Sequence, residues 1–169
     1  FSGGRHGHET GNSILSLNHG GRLWLADKDY IRIYPDSSNG LVVVKDGAVE
    51  KKDPFTSLQS TVDLNDFSFT RTLLPSYNGV DWYRNILWKR GSFFLVVDEV
   101  NVKEDGSYVF ENLWHGMGQA MLLDGHDLKL TQDGEREFHI VSLDDSTKRL
   151  RERDKHTRKY WAEYPYTKA

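Results

Sequence analysis

Arg5-His6-Gly7-His8-Glu9 is the densest run of chemically capable side chains in this 169-residue sequence. On a regular strand, residues two apart share a face, which sets His6 and His8 about 6.5–7 Å apart on one side. Neutral imidazole is a good zinc ligand, and a carboxylate can complete such a site. The chain has no cysteine, so a metal here would rest on histidine and carboxylate rather than thiolate. The alternative is a polar terminal segment with no site. Asp27 bears on that choice. It follows Leu23-Trp24-Leu25-Ala26, where a capping or turn role is the default. Segments 13–18 and 22–26 flank a His-Gly-Gly turn and, paired as a hairpin, set residues near 12 and 27 opposite each other. The segment holding His6 and His8 then leaves from the hairpin end that carries Asp27. Two imidazoles and one carboxylate are thereby grouped.

Other chemical signatures are missing. There is no Gly-x-Ser-x-Gly elbow, no phosphate-binding loop and no His-Glu-x-x-His helix. Asp36-Ser37-Ser38-Asn39-Gly40 has the outline of a calcium loop, but its third position is Ser and no Glu closes it. His115, beside Trp114, fits either a sugar contact or a core histidine with a satisfied hydrogen bond, the second being favoured. His19 falls in a turn, and His126, His139 and His156 have no companions in sequence. Arg5, Arg32 and Arg84 could clamp carboxylates bidentately, although surface or hairpin decoration is the default for each. Five Trp and eight Tyr could stack on sugars, but large aromatics in a β-domain mostly build the core.

The elements that must position these residues read as strands. Gly20-Gly21, Asn39-Gly40, Asp46-Gly47, Asn78-Gly79, Asp105-Gly106, Asp124-Gly125 and Asp133-Gly134 are turn signals at short intervals. Between them lie segments rich in β-branched and aromatic residues. Residues 30–34 alternate, and 41–45 are continuously apolar, as in a buried strand. Residues 80–102 form two long strands around a basic, Gly-containing turn at 89–92. Further strands are expected at 107–113, 119–123, 128–131 and 137–143. Residues 50–61 read as a polar surface loop. Residues 144–159 are strongly charged and fit a short helix, an edge strand or a solvated tail. Evenly spaced strands without intervening helices predict an all-β chain, an antiparallel β-sandwich, with a closed barrel as the alternative. The sandwich domain is expected over residues 1–147, with 148–169 a charged segment peripheral to it.

Composition narrows the partners. Twenty-two Lys+Arg against 25 Asp+Glu give a formal charge of −3, which speaks against a nucleic-acid partner. No apolar run approaches the roughly 18–20 residues of a membrane-spanning helix, so no membrane partner is expected. The chain opens at Phe1 and reads as a piece of a longer protein.

Arg-His-Gly-His-Glu-Thr-Gly-Asn-Ser from Arg5, a strand, Gly-Gly-Arg, and a strand ending in Asp27 resemble the start of the heparinase II/III-like domain of polysaccharide lyases. Asn39-Gly-Leu-Val-Val-Val-Lys-Asp-Gly47 is similar to the family's strand that begins His-Asn and ends Asp-Gly. Arg84 to Val100 resembles its long hairpin, and Trp114-His115 falls where such domains often carry Trp-His. The resemblance spans most of residues 5–116.

It implies a β-sandwich joined to an N-terminal α/α toroid, with a cleft for an acidic polysaccharide such as a glycosaminoglycan or alginate. Such enzymes cleave by β-elimination: the uronate carboxylate is neutralised, a base takes the C5 proton, and an acid protonates the departing O4. His6 matches the catalytic histidine, and Arg5 and His115 are the candidate substrate contacts. His8 and Asp27 match two ligands of a structural zinc. The third ligand position, usually His, is Ser38 here, and Thr10 stands where many relatives have Asp. The toroid would bring the catalytic Tyr and Asn, so the present chain alone is expected to be inactive. A secreted or periplasmic location is also implied.

Overall fold

A computed structural model describes residues 11–27, 35–50, 52, 55–123, 127–143, 151–153 and 166–168. Among these residues the chain is all-β with antiparallel sheets and no α-helix. The first hairpin is β1 (Ser16–His19) and β2 (Arg22–Ala26). After a 3₁₀ turn at Pro35–Ser37 come β3 (Gly40–Lys45) and β4 (Ala48–Val49). A run of neighbouring strands follows: β5 (Ser57–Asp63), β6 (Phe67–Tyr77), β7 (Val80–Lys89) and β8 (Phe93–Val102). Next are β9 (Tyr108–Leu113), β10 (His115–Met117) and β11 (Gln119–Leu123). β12 (Asp127–Gln132) and β13 (Arg136–Val141) form a hairpin, and β14 (Arg151–Arg153) and β15 (Tyr166–Lys168) complete the set.

The chain divides into two compact units. One is built on Leu41–Glu111 and takes in residues 11–13; the other combines the stretch from Ile14, Asp36–Gly40 and the chain from Asn112 onward.

The first unit carries the sheets β4-β3-β9 and β5-β6-β7-β8. Tight two-residue turns set its registers. Asp46-Gly47 and Asn78-Gly79 all adopt positive φ, the geometry whose twist suits a hairpin and which Asn, Asp and Gly tolerate. Trp82 and Val80 on β7, Leu74 and Tyr77 on β6, and Leu41 and Val43 on β3 form its core. Near the end of β6 the register shifts between Leu74 and Tyr77. Pro75 lies in that gap, where a residue without an N–H costs no ladder bond. The side chain of Asn78 donates to the carbonyls of Val43 (2.9 Å) and Ala48 (3.0 Å).

In the second unit the sheets are β1-β2-β10-β15-β14 and β11-β12-β13. Trp24 and Leu25 of β2 pack with Leu128 and Leu130 of β12, and Trp24 stacks on Phe138 at 5.6 Å. Gly116 lies against this core: a Cβ there would come within 2.6 Å of Leu130 Cδ1.

Several expectations change. Residues 57–61 are not loop but part of β5, whose seven residues are all exposed. An edge strand open to water on both faces needs no apolar alternation, so its polar sequence hid it. β6, eleven residues long, and β10 were not expected. Asn39-Gly40 is not a turn: neither residue has positive φ, and Gly40 opens β3. The first turn is Gly20-Gly21 alone, with His19 paired to Arg22. With a bulge between Leu17 and Asn18, Asp27 therefore faces Leu15, whose carbonyl accepts its N–H at 3.0 Å, instead of a residue near 12. The strand expected at 30–34 and most of the charged stretch 144–159 lie outside the described residues.

Candidate functional site

β2 delivers Asp27 to the interior of the second unit. Trp24, Leu25 and Ala26 are buried, and Asp27, next in line, is only 7% exposed. The 3₁₀ turn then brings Ser37, Ser38 and Asn39 into the same kind of environment, all buried. Asn39 is fully enclosed and organises what surrounds it. Its backbone N–H donates to Asp27 Oδ1 at 3.1 Å, and its Nδ2 donates to the same oxygen at 3.2 Å and to the Ile14 carbonyl at 2.9 Å. Its Oδ1 accepts the backbone N–H of His115 at 2.6 Å. The Asn39 carbonyl accepts the N–H of Ile14 at 2.9 Å. Each polar atom of Asn39 thus has a complementary partner. A flipped carboxamide would set N–H against N–H and oxygen against oxygen, so the partners fix its orientation.

His115 is fully buried on β10. That is the placement of a core histidine rather than of a side chain on a sugar-binding surface. Residues 27, 39 and 115 are brought together from three segments, and the resemblance touches each of them.

Arg5, His6 and His8 lie outside the described residues, as does Arg32. His139 is exposed on β13, with Nε2 3.2 Å from Glu137 Oε2. Lys129, followed by His139, holds the Glu137 carboxyl below the ordinary glutamate range. His19 is exposed at the end of β1.

The described residues do not fit a zinc site by themselves. Asp27 Oδ1 accepts two N–H donors, Ser38 stands where the resemblance would place a third ligand, and no cluster of three His, Asp or Glu occurs among the described residues. Serine is a poor zinc donor beside imidazole and carboxylate.

The first unit holds a second polar cluster, which sequence reasoning missed. Arg84 is 1% exposed and pairs with Asp98 through Nε and Nη2, both at 2.7 Å. Trp82 Nε1 donates to the same carboxylate at 2.7 Å. The fork also reaches Asn12: Arg84 Nη1 donates to its carbonyl at 3.1 Å, and Asn12 Nδ2 donates to the Trp82 carbonyl at 3.0 Å. Asn12 itself sits in the left-handed region at φ 63°. Arg84 is therefore a buried clamp on a carboxylate of its own hairpin, not surface decoration. One signal could have found it. Arg84 and Asp98 face each other directly across the β7–β8 ladder, a register that the turn at 90–92 dictates.

No family model, curated protein or solved structure matches the chain.

Proposed function

We propose that this chain is a β-sandwich domain of a heparinase II/III-like polysaccharide lyase, working with an N-terminal α/α toroid on a uronic-acid-containing polysaccharide. The observation that carries the reading is where the resembling segments meet. Asp27, Asn39 and His115 share one buried hydrogen-bond cluster across sequence separations of 12 and 76 residues. Asn12, which closes the Arg-His-Gly-His motif region, is held by Arg84 at the start of the long hairpin. Motif residues with no local reason to touch interlock, which is what shared ancestry of a scaffold predicts.

In this reading the substrate's carboxylate is neutralised, which acidifies the C5 proton and lets it leave as the bond to O4 breaks. His6 acts at that proton or at the carboxylate, because imidazole exchanges protons near neutral pH. Arg5 contributes charge beside it, and charge directed at the developing enolate lowers the barrier. The toroid supplies the remaining Tyr and Asn. Asp27 serves the scaffold, not the proton transfer. The setting is secreted or periplasmic, where such polysaccharides occur.

A second reading has an observation of its own. Val62, Leu64, Phe67, Phe93 and Phe94 are exposed near one end of the β5–β8 sheet, which suits a non-catalytic sandwich that binds carbohydrate or packs on a neighbouring domain. The two readings part on one substitution. In the protein that includes the toroid, His6→Ala should lower turnover by about 10²–10⁴-fold, followed by the ultraviolet absorbance of the unsaturated product. Unchanged turnover would leave the packing or binding role.

A further inference from the structure

We infer that the buried junction at Asp27 is closed by the carboxamide of Asn39 and holds without a metal ion. The inference rests on the lyase reading only in taking position 38 as a ligand position; the rest comes from the geometry of the second unit.

A structural metal ties separate segments to one point by accepting lone pairs from each. Asn39 does the same with hydrogen bonds. It joins the β1 side through both the N–H and the carbonyl of Ile14, the end of β2 through Asp27, and the start of β10 through the His115 N–H. One oxygen of the Asp27 carboxylate receives two N–H donors, both from Asn39. Donors aimed at an ionised carboxylate stabilise its charge in place of a counter-ion. All of this occurs at a fully enclosed Asn39, where such bonds are stronger and their loss is costly. Ser38, beside it, brings a hydroxyl where a zinc set would need an imidazole.

The experiment uses the 169-residue chain and zinc chloride as the probe. After dialysis against EDTA and then against metal-free buffer, the chain should retain far less than one equivalent of zinc. Its melting temperature should be the same before chelation, after chelation and after one equivalent of zinc is restored. Asn39→Ala should lower the melting temperature by several degrees, the scale expected when buried partners of a chain this size lose their bonds. Should that variant fail to fold, hydrogen exchange in the native chain decides: the His115 amide must stay protected with EDTA present. Stoichiometric zinc, a fall in melting temperature on chelation, an unmoved melting temperature in Asn39→Ala, or rapid His115 exchange in EDTA would each overturn the inference. None of these readings involves turnover, so they stand apart from the fate of the lyase assignment.

Discussion

The two units solve the same problem, a polar group enclosed by core, in different ways. In the first, Arg84 and Asp98 are paired charges on adjacent strands, with Trp82 and Asn12 completing the shell. The second centres on a neutral amide, Asn39, whose partners come from segments 12, 25 and 76 residues away. A charge pair on neighbouring strands is placed by hairpin register alone. The amide needs the whole unit to be assembled before its partners exist. The difference teaches that a buried ion pair can be a local device, while a buried amide network is a record of tertiary closure.

The largest effect should come from breaking the ionic cluster. Asp98→Ala leaves the guanidinium of Arg84 enclosed without its carboxylate and should cost about 3–5 kcal/mol in urea unfolding. Replacing both partners, Arg84→Met with Asp98→Leu, should recover most of that loss, because the penalty lies in the uncompensated charge. If the double variant is as unstable as the single one, the pair contributes more than mutual neutralisation.

A smaller effect tests the second unit by crowding instead of charge. Gly116→Ala would press a methyl group against Leu130, which is itself fully buried. Overpacking of this kind should cost about 1–3 kcal/mol, and the loss should appear as faster hydrogen exchange in β2 and β12. Slower or unchanged exchange there would mean that Leu130 can step aside.

The smallest expected effect concerns pH. Asp81 is held below the ordinary aspartate range, chiefly by the Ser76 backbone N–H, which donates to it, and also by Lys103. A folded value below the unfolded one means that the unfolded chain binds more protons. The contribution of Asp81 is therefore complete above the ordinary aspartate value of about 4 and is lost as pH falls through the lower folded value. Asp81→Asn should flatten that part of the acid limb in the first unit, read by denaturant midpoints across the range: at pH above the ordinary aspartate value the midpoints fall slightly, and at the acid end, where Asp81 is already protonated, they stay unchanged.

How much could be read beforehand follows the same division. The β7–β8 hairpin was legible because its turn and its apolar runs are contiguous, and Asp46-Gly47 and Asn78-Gly79 formed the turns that their residue types demand. Even so, the hairpin alone could not tell that Arg84 is enclosed, since burial depends on what covers the strand. β6 carries Pro75 and many polar residues, and β5 is a water-exposed edge, so neither advertised itself by alternation. Asn39-Gly40 imitates a turn, and only the arrival of Ile14, Asp27 and His115 makes it the start of a strand. Asp27 stood out as a carboxylate at a strand end, whereas its partner Asn39 has no sequence pattern that marks it as a junction.

The discontinuity of the second unit has a consequence for synthesis on the ribosome. Strands β5, β6 and β7 each bond to their immediate successor in the chain, so each ladder of that sheet can form as soon as its second strand is translated. The anchor at Asn39 must wait until residue 115 has emerged, 76 positions later. Until then the carboxamide of Asn39 and the carboxylate of Asp27 remain dependent on water, and segments made early are sealed late.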